Sequence, residues 1–161
     1  MVVIIMGVSG AGKTTIGRML ASSLGWDFRD ADDLHPTDNR EKMNSGVALT
    51  DADRRPWLAA IRAMIDGYLA RGQNAIVACS ALKRSYREML SANSARVRFV
   101  WLDGSRELIA RRIAARRCHF MPAELLASQF TDLEAPAAAL RIEVAAPPAE
   151  IVAAIRRELS I

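Results

Sequence analysis

A glycine-rich segment close to the N-terminus is the feature that most constrains what this chain folds into. Residues 7–14 read G-V-S-G-A-G-K-T and match the pattern G-x-x-x-x-G-K-[ST] in full. They follow an apolar, β-branched run at residues 2–6, which does not alternate with polar residues and so predicts a strand buried on both faces of a parallel sheet. Residues 13–24 have a helical apolar stripe. A strand, a glycine-rich turn and a helix in this order predict a binding site for nucleotide phosphates.

The glycines of this loop allow several backbone N–H groups to point at phosphate oxygens where a helix begins. Lys13 is expected to reach the β- and γ-phosphates of ATP, and the Thr14 hydroxyl to bind Mg²⁺. The residues expected to contact ATP are Gly7, Val8, Ser9, Gly10, Ala11, Gly12, Lys13, Thr14 and Thr15. The loop alone indicates phosphate binding and leaves the acceptor open.

Strand-like and helix-like segments alternate along the chain, which predicts an α/β fold with a parallel sheet and right-handed crossovers. The predicted strands cover residues 2–6, 27–30, 75–79, 97–102 and 141–145. The predicted helices lie within residues 13–24, part of 35–50, 51–71, 82–90, 105–117, 122–133 and 148–159. Because proline is tolerated in the first turn of a helix and not in its interior, Pro56 indicates that the third helix begins only near Asp53 or Arg54. We expect three layers, with a five-stranded parallel sheet between helices, in a single domain over residues 1–161.

Composition narrows the class of protein. The 161 residues fit one domain, and 51% of them are hydrophobic and 25% charged, without a low-complexity stretch. The apolar run at residues 2–6 has no basic region before it and is far shorter than the ~20 residues of a spanning helix, which favours a cytoplasmic protein without membrane contact. Cys79 and Cys118 lack metal-ligand spacing and are expected to be thiols. The net charge of +4 suits either a nucleotide with an anionic substrate or a nucleic acid.

Acidic residues at two strand ends are candidates for phosphoryl-transfer chemistry, which needs carboxylates to hold Mg²⁺ and to orient the attacking hydroxyl. Asp30 and Asp32 close the second predicted strand and share a face if the strand continues. We expect Asp32 to be the base and Asp30 to belong to the metal site. Asp103 is a rival, because it ends the apolar run at residues 97–102. A turn at that point, with Ser105 as the N-cap of the next helix, is the interpretation we favour for Asp103.

Several short segments, taken together, are more specific than the phosphate loop. They are residues 6–13 (M-G-V-S-G-A-G-K), 32–36 (D-D-L-H-P), 41–43 (E-K-M), 45–46 (S-G), 49–51 (L-T-D), 53–54 (D-R), 56–58 (P-W-L), 79–83 (C-S-A-L-K) and 86–87 (Y-R). In these segments the chain resembles the bacterial-type gluconokinases, from the first strand to about Phe130. The resemblance implies ATP-dependent phosphorylation of D-gluconate at its 6-hydroxyl, a P-loop kinase fold similar to shikimate and adenylate kinases, and a homodimer.

The acceptor implied by this resemblance carries one carboxylate and a row of hydroxyls, so its site needs one or two cations and several polar groups. The candidate substrate-binding residues are Asp32, His35, Lys42, Arg54, Lys83 and Arg87. Only three of the 22 Lys and Arg residues are lysines, which makes each lysine a candidate point charge, whereas a guanidinium grips a carboxylate with two hydrogen bonds. Lys83 and Arg87 are favoured, because they lie four residues apart and share a face if both are helical.

An arginine-rich stretch lies where related small kinases carry a helical lid over the ATP phosphates, here about residues 111–133. Arg112 and Arg116 share a helix face and are expected to join Lys13 and Asp32 as catalytic residues by stabilising the transferred charge. A solvated arginine-rich face is the alternative. Cys118 stands where the family often has glycine, a difference that concerns the hinge of the lid and not the reaction.

Two other functions are compatible with the phosphate loop. A shikimate- or nucleoside-monophosphate-type kinase would share the loop and the lid and differ in its acceptor pocket. A nucleotide-dependent switch or an RNA-binding ATPase is the alternative of another class. The sequence contains no N-K-x-D motif for guanine and no interleaving of aromatic and basic residues, which disfavours both and leads us to expect no nucleic-acid partner.

Overall fold

One parallel sheet of five strands forms the centre of the computed structural model, which describes residues 1–115 and 123–161. The strands are β1 (Val2–Met6), β2 (Asp27–Asp30), β3 (Ala75–Ala78), β4 (Val97–Asp103) and β5 (Leu140–Glu143). Their order in the sheet is β2-β3-β1-β4-β5, and every neighbouring pair is parallel. The predicted five-stranded parallel sheet is therefore confirmed, with β1 at its centre.

Seven helices within the described residues connect and cover these strands. They are α1 (Lys13–Leu24), α2 (Thr37–Asn44), α3 (Asp51–Ala70), α4 (Arg84–Ser91), α5 (Arg106–Ala114), α6 (Ala123–Asp132) and α7 (Pro148–Leu159), and a short 3₁₀ turn covers Ala31–Leu34. Among the helices of residues 1–115 and 123–161, none combines the length and the apolar character needed to cross a membrane.

The side chains of β1 divide between the two faces of the sheet, as the period of a strand requires. Val3 and Ile5 belong to a core cluster with residues of α1, α5 and α7. Val2, Ile4 and Met6 belong to a second cluster with residues of α3 and α4. All five residues are fully buried, which explains why this segment is apolar throughout. The expected three layers are present.

The start of α3 differs from the prediction. Thr50 and Asp53 form a capping box, in which the Thr50 hydroxyl accepts a hydrogen bond from the Asp53 N–H at 3.2 Å and the Asp53 carboxylate accepts one from the Thr50 N–H at 2.9 Å. The helix therefore begins at Asp51 and not near residue 53 or 54. Pro56 lies inside the helix, close enough to its start that little of the backbone ladder is lost.

The carboxyl ends of the parallel strands bring the predicted site residues to one edge of the sheet. β1 leads into the glycine-rich loop, β2 leads into the 3₁₀ turn that contains Asp32, and β3 leads into Ser80. The Gly7 N–H donates to the Ser80 carbonyl oxygen at 3.3 Å and so joins the loops after β1 and β3. Ligands of open α/β sheets bind at this edge, so the candidate site lies here.

Candidate active site

The glycine-rich loop, residues 7–12, has a shape that excludes side chains at two of its positions. Gly7 has a φ of 138°, and a Cβ atom there would lie 2.7 Å from the Leu102 carbonyl oxygen. Gly10 has a φ of 84°, and a Cβ atom there would lie 2.8 Å from Cγ1 of Ile113. In the described structure no side chain caps α1, and its first turn contains no acidic residue. The first N–H groups of α1 and the positive end of its dipole are therefore available to a phosphate.

Lys13, the first residue of α1, turns its side chain back over this loop. Its Nζ donates a hydrogen bond to the Val8 carbonyl oxygen at 3.1 Å. The pKa of Asp32 is raised by loss of water, and the ammonium charge of Lys13 partly opposes that rise. The structure thus brings together Lys13 and Asp32, two of the predicted catalytic residues, beside the phosphate loop.

Asp32 lies in the 3₁₀ turn after β2, and loss of water around its carboxyl is the main cause that raises its pKa above the ordinary value. Lys13 opposes this rise, and the charges of Asp30 and Asp33 add to it. Asp32 is exposed, so a bound molecule can reach its carboxyl group. A carboxylate with a raised pKa is a stronger proton acceptor than a fully hydrated one.

Asp30 and Thr14 provide the two oxygens that the sequence assigns to Mg²⁺. The Thr14 hydroxyl donates to Oδ2 of Asp30 at 2.9 Å, and Oδ1 of Asp30 accepts from the Asp32 N–H at 3.2 Å. In the part of the chain that the structure describes, no three or more His, Cys, Asp or Glu side chains form a metal-binding group. One hydroxyl and one carboxylate nevertheless fit Mg²⁺, which usually takes its other ligands from water and substrate phosphates.

Asp103, the rival acid, ends β4, which lies on the opposite side of β1 from β2 and β3, and its carboxylate is paired there. Nε of Arg141 donates to Oδ2 of Asp103 at 2.8 Å. The Ser105 hydroxyl accepts from the Leu108 N–H at 3.2 Å, which confirms Ser105 as the N-cap of α5. These contacts favour the interpretation of Asp103 as the end of a strand before a turn.

A group of five side chains, which we call the acceptor cluster, lies after β3 and at the start of α3. Its members are Asp51, Arg54, Lys83, Tyr86 and Asp132. Oδ1 of Asp51 accepts a hydrogen bond from Nζ of Lys83 at 2.8 Å and another from the Tyr86 hydroxyl. Nη1 of Arg54 donates to the Tyr86 hydroxyl at 3.2 Å. The structure therefore brings together Arg54 and Lys83, two of the predicted substrate-binding cations.

The contacts of the cluster keep its charged groups charged. The hydrogen bond with Asp51 raises the pKa of Lys83, and the same bond lowers the pKa of Asp51. Lys42, another predicted substrate-binding residue, pairs outside the cluster, with its Nζ 2.7 Å from Oδ1 of Asp53. That hydrogen bond, together with those from Thr50, lowers the pKa of Asp53 to about 2.

His35, also predicted to bind substrate, is buried and stacked on Trp57. Their ring centroids are 4.2 Å apart and their planes 9° from parallel. Burial, followed by the nearby Arg40 and Arg54, lowers the pKa of His35 to about 4, so the ring is neutral at pH 7. Nε1 of Trp57 donates to the Ala31 carbonyl oxygen at 2.7 Å, which fixes the 3₁₀ turn against α3. Trp57 itself is buried in the core.

Arg87 has a different environment from the one expected. It is only 8% exposed, and its Nη1 donates to the carbonyl oxygens of Ala81 and Leu82 at 3.0 and 2.6 Å. The expectation that Lys83 and Arg87 share a helix face is wrong, because α4 begins at Arg84 and Lys83 is its extended N-cap. Arg87 therefore supports the loop after β3 from inside the protein.

Arg112, predicted to act on the transferred phosphate, lines a cavity of about 350 Å³ beside the phosphate loop. The other walls come from residues 10–12, from Thr15 and from the segment at residues 146–151. Nη2 of Arg112 donates to the Val144 carbonyl oxygen. Arg116 and Cys118, with the rest of residues 116–122, lie outside the described residues.

The helix α6 makes contacts that the sequence did not predict. Oε1 of Gln129 accepts a hydrogen bond from the Ser9 N–H at 2.7 Å, and its Nε2 donates to the Ser9 hydroxyl at 3.2 Å. Two residues beyond α6, Oε2 of Glu134 accepts from the Arg84 N–H at 2.5 Å. This segment thus touches both the phosphate loop and the loop after β3.

Three members of the acceptor cluster were also missed. Asp51 and Tyr86 stand inside segments that carry the family resemblance, at residues 49–51 and 86–87, and that position was the available signal. Asp132 stands in no such segment, and it meets the cluster through a contact with Arg54 that spans 78 residues of sequence.

Comparison with known proteins agrees with this geometry. The family model described as shikimate kinase matches residues 9–135. The gluconokinase of Gluconobacter oxydans is 50% identical over 83% of this chain and 75% of its own length. The thermosensitive gluconokinase of Escherichia coli is 46% identical over 84% of this chain and 72% of its own length.

Solved structures agree with the sequence relatives. A gluconokinase from Sinorhizobium meliloti is 40% identical and superposes with a TM-score of 0.84 over 98% of this chain and 94% of that chain. The shikimate kinase of Aquifex aeolicus, 19% identical, has the same fold, with a TM-score of 0.64 over 99% of this chain and 96% of that chain. The resemblance in the short sequence segments is therefore confirmed, and the chain belongs to the gluconokinases within the shikimate kinase family of P-loop kinases.

Proposed function

We propose that this chain transfers the γ-phosphoryl group of ATP to the 6-hydroxyl of D-gluconate. The observation that carries the proposal is the meeting of Arg54 and Lys83 in one cluster, at the same sheet edge as Lys13 and Asp32. The first two residues supply cations for a carboxylate, and the second two supply groups for phosphoryl transfer. Gluconokinase relatives at 46% and 50% identity support the choice of acceptor.

The nucleotide binds along the phosphate loop. Its phosphates lie against the N-terminus of α1 and Lys13, where uncapped N–H groups and a positive charge meet. The cavity lined by Arg112 adjoins this loop and accepts the nucleoside. Its volume of about 350 Å³ falls within the roughly 300–1,000 Å³ typical of small-molecule sites. Arg112 forms a wall of that cavity, and Arg116 keeps its predicted role on the phosphates.

Thr14 and Asp30 hold Mg²⁺ in this proposal, because they offer one hydroxyl and one carboxylate within 2.9 Å of each other at the start of α1. When bound, Mg²⁺ neutralises charge on the β- and γ-phosphates. Asp30 also accepts the Asp32 N–H, so the metal-binding carboxylate and the turn that carries the base are fixed together.

Asp32 accepts the proton of the attacking hydroxyl during the transfer. The hydroxyl oxygen forms a bond to the γ-phosphorus, and the bond from that phosphorus to the β,γ-bridging oxygen breaks and leaves ADP. Lys13 stabilises the charge that develops on the phosphoryl oxygens. The loss of water around Asp32 supports this assignment, because it makes the carboxylate more basic.

The carboxylate of the acceptor binds to Arg54 and Lys83, which leaves the far end of the sugar acid free to reach Asp32. His35 stacks on Trp57, and Lys42 pairs with Asp53 outside the acceptor cluster. We assign both to the wall of the acceptor pocket.

A panel of acceptors tests the proposed function. Release of ADP from MgATP, followed in a coupled assay, should be fastest with D-gluconate and at background with shikimate, mononucleotides and RNA. A faster reaction with shikimate or a mononucleotide would favour the alternative kinase, and hydrolysis that rises with RNA but not with gluconate would favour the RNA-binding ATPase. Because the shikimate kinase family model matches this chain, shikimate is the most informative alternative acceptor.

The family resemblance also leads us to propose that the protein works as a homodimer in the cytoplasm. Light scattering during size-exclusion chromatography should give about twice the chain mass of 17.6 kDa. A single species at the mass of one chain would contradict the dimer.

A further inference from the structure

The two acids of the acceptor cluster hold its cations with unequal strength. Oδ1 of Asp51 accepts two hydrogen bonds, from Nζ of Lys83 at 2.8 Å and from the Tyr86 hydroxyl. Asp132 lies 3.6 Å from Nη1 of Arg54 and 3.9 Å from Nζ of Lys83, and both distances are too long for hydrogen bonds. Asp51 is therefore a firm partner of the cations, and Asp132 a loose one.

The position of Asp132 on its helix is unfavourable apart from those cations. It is the last residue of α6, and the last turn of α6 contains no basic residue. A helix C-terminus carries partial negative charge and so repels a carboxylate. The side chain is 31% exposed, so it can move from the cations into water. Asp132 is thus held at the cluster by Arg54 and Lys83 and by little else that the structure describes.

The charges of the acceptor cluster balance. Arg54 and Lys83 carry two positive charges, and Asp51 and Asp132 carry two negative ones. If a monocarboxylate takes the place of Asp132, the balance stays at zero and Asp51 keeps its hydrogen bonds. If it took the place of Asp51, two hydrogen bonds to that carboxylate would be lost. The exchange with Asp132 therefore costs less.

We propose that Asp132 occupies the position that the acceptor's carboxylate takes on binding, and that it is an internal competitor that the acceptor displaces. This inference rests on the proposed function and deepens it, because it assigns to one residue the control of acceptor affinity. Asp132 lowers the affinity for a monocarboxylate by the strength of its own ion pairs with Arg54 and Lys83. It does not act on the nucleotide.

Titration calorimetry with D-gluconate tests the proposal on the whole chain. D132N removes the charge at nearly constant size and should bind gluconate about fivefold more tightly, the upper end for a partly exposed ion pair. D66N is the matched control, because it also removes one acidic charge, from an ion pair with Arg62 on α3, and should leave the affinity unchanged. Gluconate affinity in D132N equal to or below that of the wild type overturns the proposal.

ATP affinity separates competition at the cluster from a general change in charge. Competition at the cluster should leave the ATP affinity of D132N unchanged. A general effect of the lost negative charge would tighten the binding of ATP as well as that of gluconate, and that result overturns the proposal. In an R54M background, where the nearest cation is absent, the effect of D132N should shrink toward none. D132S provides the same comparison if D132N folds poorly.

Gluconate binding by the wild type separates the role of Asp132 from the proposed function. Gluconate binding by the wild type without a gain in D132N overturns the role of Asp132 and leaves the proposed function standing. No gluconate binding by the wild type overturns both.

Discussion

Replacing Asp32 with Asn should remove most of the catalytic rate while leaving the site folded. Asn has nearly the same shape but cannot accept the proton of the attacking hydroxyl. The turn around it is held by the backbone N–H of residue 32, which donates to Asp30 at 3.2 Å and does not depend on the substituted side chain. General-base catalysis contributes typically ~10²–10⁴-fold, so kcat in the coupled ADP assay should fall by about that factor. The KM for ATP should change little.

The pH dependence of the wild type follows from the same residue. Loss of water raises the pKa of Asp32, so the acidic limb of kcat/KM should lie above the ordinary carboxyl value of 3.8. The rate falls as the pH drops through that limb, because the protonated acid is not a base. Asp33 contributes to the raised pKa, so Asp33→Asn should move the limb to lower pH.

Asp33→Asn is also the matched control for the rate. It removes an equal charge one residue away and should keep plateau kcat within about twofold of the wild type. The role of Asp32 as the base is refuted if Asp32→Asn, shown to be folded by circular dichroism, keeps kcat within tenfold of the wild type. It is also refuted if both substitutions reduce kcat equally.

Two further predictions concern stability. Thr50→Ala removes half of the capping box at the start of α3 and should lower the free energy of unfolding in urea by about 1 kcal/mol, whereas an unchanged value would mean that the cap does not fix the helix start. Because burial lowers the pKa of His35 from 6.5 to about 4, the unfolded chain takes up its proton first, and stability should fall as the pH drops from about 6.5 to about 4. His35→Phe, which keeps the stack on Trp57, should show a shallower fall over that range, and an equal slope would contradict the argument.

The phosphate site could be predicted from the sequence because its parts are adjacent along the chain. The loop at residues 7–12 and the helix that starts at Lys13 form one continuous segment, and their glycines and lysine have fixed roles. The central strand β1 could also be predicted from the sequence, because it is buried on both faces and its residues are therefore all apolar. The same logic singled out Asp30 and Asp32 as candidates, because they are acids at the carboxyl end of a strand, and the structure places both beside the phosphate loop.

The acceptor site was predicted only in part, because its geometry depends on contacts between distant segments. Lys83 meets Asp51 across 32 residues of sequence, and no local pattern indicates that pairing. The helix beginning at Arg84 was misplaced by two residues, and that error put Lys83 and Arg87 on one face.

Two more misses have different causes, one local and one long-range. The start of α3 was placed too late, because Pro56 was given more weight than the Thr50 cap that determines it. Gln129 and Asp132 reach the site only through the packing of α6, which a pattern of apolar residues does not specify.

Identification of the phosphorylated product tests directly whether the chain phosphorylates D-gluconate at its 6-hydroxyl. Wild-type protein incubated with MgATP and D-gluconate should give ADP and one new phosphomonoester. In ³¹P–¹H correlation spectroscopy, its phosphorus should couple to the protons of the C6 methylene group. Omission of gluconate should abolish that signal, and Lys13→Ala should reduce its rate by orders of magnitude. Inorganic phosphate as the only product, or a phosphoryl group on another acceptor, would contradict the account.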